Sequence, residues 1–160
     1  MPLQLGSAAP DATLFENTPE TVRRFRLSDY FGKRNLVLLF FPAVYTGTCT
    51  KEMCLVRDTS SDYDALDAMV IGISGDMPYS QLVWKRELKL TTMLASDYNH
   101  EAVRAYEVEH PDWAGGMHGV ARRAAFVVDK SGIIRYAEVL EDAGMLPSFE
   151  GIQLALRELH

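Results

Sequence analysis

Cys49 and Cys54 are the only thiols of this 160-residue chain, and the residues before the first give it a setting that favours reaction. The apolar run Leu36-Val37-Leu38-Leu39-Phe40-Phe41 leads straight into Pro42-Ala43-Val44-Tyr45-Thr46-Gly47-Thr48-Cys49. A buried strand stopped by a proline, then a short loop and a helix start, would put Cys49 in a first helical turn. Free backbone N–H groups and the positive end of the helix dipole converge there. A thiol so placed tends to ionise to its nucleophilic form. Thr46 is expected to cap the helix, its hydroxyl accepting from the N–H of Thr48 or Cys49. Pro42 ends the strand, removes one donor and shapes a small pocket. An isolated free cysteine more often packs as a small buried residue; the surrounding Pro, Thr, Gly and Thr turn the reading toward a reactive one.

The elements that must hold this thiol follow from the hydrophobic pattern. Residues 1–35 read as an irregular or β-rich lead-in punctuated by Pro10, Pro19 and Gly32. The continuous apolar run 36–41 has the character of a central strand covered on both faces. A helical pattern follows from about Gly47 to Asp67, with Met53, Val56, Tyr63 and Leu66 able to share one side. Its polar cluster Asp58-Thr59-Ser60-Ser61 would kink or restart it. Residues 68–74 form a second buried strand ending at Gly75, and Pro78 opens a helix through about Leu88. A short strand near Thr92–Ala95 and a helix near His100–Tyr106 come next. The Gly- and Pro-rich segment 109–120 reads as a mobile loop. Ala124–Asp129 and Ile133–Glu138 flank Lys130-Ser131-Gly132 as a hairpin, and a last helix runs from Pro147-Ser148 to Leu159.

This alternation predicts one α/β domain over residues 1–160, a central mixed β-sheet flanked by helices, in the element order of the thioredoxin-like fold. Composition agrees with a globular chain: 48% hydrophobic and 24% charged residues, with a net charge of −6. The negative balance, with no basic block beyond Arg23-Arg24 and Arg122-Arg123, argues against a nucleic-acid or anionic-membrane surface. No apolar run approaches the ~20 residues that span a bilayer, and the first residues lack a secretory pattern. A cytoplasmic protein is expected. Two cysteines five apart make no secreted disulfide framework and suit redox chemistry in a reducing compartment. The histidines 100, 110, 118 and 160 fall at no ligand spacing with them, so neither a metal site nor a cofactor is expected. Trp84 and Trp113 read as core or loop packing.

The motif Pro42-x-x-x-Thr46-x-x-Cys49 resembles the active-site signature of the peroxiredoxins, thiol-dependent peroxidases on a thioredoxin fold. Phe40-Phe41 before it and Thr50–Asp58 after it extend the likeness. Gly6-Ser7-Ala8-Ala9-Pro10-Asp11 is similar to the family's opening, and Arg123–Arg135 to its late strand-turn-strand. Two branches fit best, the bacterioferritin comigratory protein (Q-type) group and the alkyl hydroperoxide reductase E group. Thr92-Met93-Leu94-Ala95-Ser96-Asp97 departs from the Phe-Pro-Leu-Leu-Ser-Asp of many relatives, which leaves the shape of that loop and any interface on it open.

The resemblance implies a peroxide substrate, with Cys49 as the nucleophile that becomes a sulfenic acid. It assigns Arg123 to reach the sulfur from a distant strand, although Arg122 beside it is an equal candidate by spacing. Thr46 would bond the thiolate and the peroxide, and Pro42 would shield the sulfur. Glu52 would orient the arginine by a charge-assisted bond, or else be a solvated helix residue. Cys54 would resolve the sulfenic acid, or simply pack. Residues five apart on a helix are roughly 8.6 Å apart at their α-carbons, and a disulfide requires less than about 7 Å. Resolution by Cys54 therefore requires the first helical turns to unwind. Expected partners are hydrogen peroxide or an organic hydroperoxide, a thiol reductant such as thioredoxin or a glutaredoxin-like protein, and at most a second copy in a homodimer. A thiol-disulfide exchange protein or redox sensor on the same fold is the competing function, disfavoured by the lack of a Cys-x-x-Cys. A binding module with a structural Cys49 is a third.

Overall fold

The computed structural model describes residues 3–159; Met1 and Pro2 of the opening segment and His160 lie outside the described residues. The apolar run behind Pro42 forms β3 (Asn35–Phe40), and all of it is buried. β4 (Ala68–Ser74) runs parallel to β3, and β5 (Met93–Ser96) parallel to β4. On the other side of β3, β6 (Ala124–Val128) is antiparallel and turns into β7 (Ile134–Val139). Gly132, at φ 77°, takes the left-handed conformation that this turn requires. The lead-in resolves into a hairpin of β1 (Thr13–Asn17) and β2 (Val22–Arg26), with β1 docked antiparallel on β5. The strands make one mixed sheet in the order β2-β1-β5-β4-β3-β6-β7.

From Leu36 on, β3 is apolar because it divides two cores. Leu36, Leu38 and Phe40 pack with Leu14, Ile71, Ile73, Tyr106 and Phe126 on one face. Val37, Leu39 and Phe41 pack with Met53, Val56, Trp84, Ile152 and Leu156 on the other. Each fully buried Leu or Phe here contributes roughly 2 kcal/mol from water exclusion. Four helices cover the second face: α1 (Gly47–Asp58), α2 (Ser60–Ala65), α3 (Pro78–Leu88) and α5 (Phe149–Arg157). α4 (Glu101–Ala105) covers the first with Ala102 and Val103. Gly72 lies in β4 beneath α1, where a Cβ would come within 2.8 Å of Leu94 Cδ2 and 3.3 Å of Met53 Sδ. Its bare backbone lets α1 lie down on the sheet.

One segment meets the sequence expectation closely and another differs from it. The long helix over 47–67 divides at Thr59 into α1 and α2, within the polar cluster that marked a restart. The Thr59 hydroxyl donates to Leu55 O at 2.8 Å and closes the end of α1. The segment 109–120 carries local pairing that its glycines and proline concealed. His110 N donates to Val120 O at 2.7 Å, and Trp113 and Met117 exchange backbone bonds of 2.6 and 2.9 Å. Gly115 and Gly116, at φ 87° and 118°, make the reversal that allows this. Among the described residues no helix is long and apolar enough to cross a membrane.

Candidate active site

β3 ends at Phe40 and the chain continues through the buried Phe41 and Pro42, then crosses to α1 in four residues. Pro42 has no N–H to leave unpaired at the strand end. Cys49 falls in the first turn of α1 and is only 1% exposed. Arg123 immediately precedes β6, whose Ala124 pairs with Phe40 of β3, and this register carries the guanidinium across the sheet end to the thiol. Nη2 donates to Cys49 Sγ at 3.2 Å and Nη1 to Glu52 Oε1 at 3.1 Å. Nε and Nη2 also donate to Ala143 O at 3.0 and 2.9 Å. The guanidinium is thus fixed in its plane by a backbone carbonyl, a carboxylate and the sulfur. Its neighbour Arg122 points outward and pairs with the exposed Glu141.

Arg123 and Glu52 are both buried, at 1% and 0% exposure. Glu52 is therefore not the solvated helix residue that its sequence position also allowed. Glu52 Oε2 has no hydrogen-bond partner among the described residues. Burial pushes the Glu52 carboxyl up from 4.5 to about 7, and the charge and hydrogen bond of Arg123 offset this only in part. A raised acid adds stability that is complete below the unfolded value and is lost as pH rises through the folded one. Between pH 4.5 and about 7, Glu52 therefore withdraws on the order of 3 kcal/mol of folding free energy. Glu52→Gln, which cannot ionise, is expected to gain stability relative to the parent across this window. Urea unfolding of both proteins at pH 4.5 and 7.5 measures it. If the variant instead loses ground as pH rises, ion pairing with Arg123 outweighs burial.

Thr46 occupies the N-cap position with extended backbone, but its side chain makes no capping bond. Its hydroxyl donates to Ala43 O at 2.8 Å instead. The cause is the loop: Tyr45 sits at φ 63°, and this bend brings the Ala43 carbonyl under the Thr46 side chain. Cys54 lies on the same helix as a half-buried free thiol. With α1 intact through both cysteines, their separation keeps them from bonding.

A cavity of about 200 Å³ opens onto the sulfur, lined by Pro42, Thr46, Gly47, Thr48 and Arg123, with Trp113, Ala143 and Gly144 opposite. Trp113 is therefore a wall of the site rather than loop packing, whereas Trp84 is core. An aromatic two residues before a Gly-Gly reversal was the signal for it. The Ala143 carbonyl had none, since backbone acceptors leave no mark in composition. Among the described residues no cluster of His, Cys, Asp and Glu can hold a metal ion. What the arrangement can do is offer N–H donors to a buried sulfur and to an oxygen arriving beside it.

The sequence profile of the AhpC/TSA family matches residues 5–137. The chain belongs to the AhpC/TSA family. It is 37% identical to alkyl hydroperoxide reductase E of Mycobacterium tuberculosis over 139 residues, covering 86% of each protein. It is 35% identical to the peroxiredoxin bcp of Haemophilus influenzae over 136 residues, covering 83% of this chain and 84% of that one. The crystal structure of peroxidoxin BcpB from M. tuberculosis superposes with a TM-score of 0.84 at 24% identity, over 99% of both chains. Both branches seen in the motif are thus represented, and the fold is thioredoxin-like. As an AhpC/TSA protein the chain is a peroxiredoxin, a thiol-dependent peroxidase.

Proposed function

We propose that this chain, working as a single domain, reduces hydrogen peroxide and organic hydroperoxides at Cys49. The observation that carries the reading is the Arg123 guanidinium, buried and fixed, 3.2 Å from a Cys49 sulfur that faces a cavity. The thiolate attacks the terminal oxygen of the peroxide, the S–O bond forms as the O–O bond breaks, and the leaving oxygen takes a proton to depart as water or alcohol. Charge moves from sulfur to the leaving oxygen during this step, so donors already aimed into the cavity stabilise the transition state without rearranging. With its proton committed to Ala43 O, Thr46 has lone pairs to offer and would accept the O–H of the incoming hydroperoxide. Pro42 shields the sulfur from water on its strand side. Glu52, through Arg123, holds the guanidinium in register.

Cys54 then attacks the sulfenic sulfur, forming the disulfide and releasing water, once the front of α1 has unwound. The helix is built to open from that end. Its N-terminus lacks a side-chain cap, which leaves orphan N–H groups and forgoes about 1 kcal/mol. Its other end is tied down by Thr59 to Leu55 O and by Arg57 to Leu88 O of α3 at 2.6 Å. A thiol reductant of the thioredoxin or glutaredoxin kind restores both cysteines. The chain acts as a monomer or homodimer in a reducing, cytoplasmic compartment, where two such thiols stay reduced between turnovers.

One equivalent of peroxide added to reduced protein tests the reading. It is expected to be consumed far faster than by a free thiol of the same concentration. Mass spectrometry should then find a Cys49–Cys54 linked peptide lighter by two hydrogens. Cys54→Ser should keep the fast first step and accumulate sulfenic acid, which excess peroxide drives to sulfinic acid. Sulfenic acid in the parent protein with Cys54 free would assign resolution to an external thiol.

A further inference from the structure

Just past the end of β4, and outside the cavity, Asp76 reaches back to the loop that carries the reactive thiol. Its Oδ2 accepts from Val44 N at 2.9 Å and from Ser74 Oγ at 2.7 Å. Ser74 is buried and accepts in turn from Gln81 Nε2 at 2.9 Å, and the same amide donates to Ala95 O at 3.0 Å. The Asp76 carbonyl accepts from Ser96 Oγ at 2.5 Å. The carboxylate is therefore anchored from β4, β5 and α3, three elements that the chemistry does not require to move. Its remaining partner is the loop.

The position of that partner gives the anchor its meaning. The Val44 N–H and the Ala43 carbonyl belong to one planar peptide unit and point in opposite directions. Asp76 holds the N–H, and the Thr46 hydroxyl donates to the carbonyl. Fixing one end of the unit aims the other. The next residue, Tyr45, occupies a positive φ that a non-glycine residue keeps only where its surroundings enforce it. A loop with this conformation would otherwise relax, and the Ala43 carbonyl would turn away from Thr46. The Thr46 hydroxyl would then be free to spin and to offer its proton to the sulfur instead of its lone pairs to the peroxide.

We propose that Asp76 is a positioning residue for peroxide attack: by clamping the Ala43–Val44 peptide it fixes the Thr46 hydroxyl as an acceptor facing the cavity. The inference rests on the peroxidase reading of Cys49 above. It distinguishes polar steering of the substrate from mere exposure of the thiol, and the two respond differently to chemical probes. A peroxide needs both the sulfur and the Thr46 acceptor, whereas iodoacetamide needs only the sulfur and access to it.

The experiment compares Asp76→Ala, Asp76→Asn and Thr46→Val, singly and with Asp76→Ala combined with Thr46→Val. For each protein the second-order rate of the first hydrogen peroxide turnover, the rate of Cys49 alkylation by iodoacetamide, and the thermal midpoint are measured. Asp76→Ala is expected to lower the peroxide rate about tenfold, the scale of a misplaced catalytic contact, while alkylation stays within about twofold of the parent. Asp76→Asn should retain the parent rate, because its amide oxygen in the place of Oδ2 can accept from both Val44 N and Ser74 Oγ. In the Thr46→Val background Asp76→Ala should have no further effect, since both act through one hydroxyl. Multiplying losses in the double variant, or equal losses with peroxide and iodoacetamide, would overturn the proposal and leave Asp76 a stability residue. A parent protein no faster with peroxide than a free thiol would overturn the peroxidase reading as well.

Discussion

Cys49→Ser is expected to abolish peroxide reduction, leaving no turnover above the uncatalysed background. A serine hydroxyl stays protonated near neutral pH and is a far poorer nucleophile than a thiolate. The substitution is mild in every other respect. Cys49 is buried in the first turn of α1, and serine is close to it in size and can accept from Arg123 Nη2 as the sulfur does. The variant should therefore fold, and a thermal midpoint near that of the parent would establish that the loss is chemical. Peroxidase assays with a thiol reductant, run on both proteins, give the result. Turnover near the parent rate in Cys49→Ser would transfer the nucleophile to Cys54.

Arg123→Ala should produce the second-largest loss, and here activity and stability fall together. Removing a charged donor aimed at a developing oxyanion in a dry site costs on the order of 3 kcal/mol of transition-state stabilisation, or about 100-fold in rate. Arg123 is only 1% exposed, so its removal reaches the interior. Without the guanidinium, both Glu52 oxygens lack a partner in the interior and the Ala143 carbonyl loses two donors. Breaking a buried pair this way costs roughly 3–5 kcal/mol when the remaining charge cannot be neutralised. Because burial already lifts the Glu52 carboxyl to about 7, part of that penalty is escaped by protonation in mildly acidic buffer. Stability loss in Arg123→Ala should accordingly be smaller at pH 5 than at pH 8. Arg122→Ala is the control: its exposed pair with Glu141 is worth little, and neither rate nor stability should move much. The reverse pattern, with Arg122 essential and Arg123 dispensable, would contradict the geometry at the sulfur.

The parts of the fold legible in the sequence were those whose environment is uniform along an element. β3 reads as a buried strand because both of its faces meet apolar cores, so no polar residue interrupts Leu36–Phe41. The β6–β7 hairpin reads equally well because Lys130-Ser131-Gly132 supplies turn chemistry between two apolar runs. β2, by contrast, is an edge strand rich in arginine, where Arg23 pairs with Glu16 and Arg26 with Asp11. Its period-2 pattern is short and mostly polar, so the lead-in could be given only as β-rich. In the site, residue types were legible and hydrogen-bond directions were not. The hydroxyl of Thr46 had two choices, N–H groups ahead or a carbonyl behind, and the backbone at Tyr45 decided between them. Arg122 and Arg123 are chemically identical in the sequence, and only the strand register of β6 sends one inward. Asp76 carried no motif, because its partner is a backbone N–H thirty-two residues away.

Gly72 gives the site a sensitivity that no polar residue would reveal. The Met53 sulfur of α1 and the Leu94 side chain close over its bare backbone, within 3.3 and 2.8 Å of where a Cβ would stand. Cys49 rides on the same rigid rod as Met53, four residues and about one helical turn away. The height of α1 above the sheet is thus fixed from below, by an atom that is missing. Arg123 is tied to Glu52 of the same helix, but also to the Ala143 carbonyl beyond the end of β7, which does not rise with α1. A methyl group on the strand, far from peroxide and contacting no reacting atom, would act as a shim. It would lift the thiol away from a donor held back by the Ala143 carbonyl, straining a contact that now measures 3.2 Å.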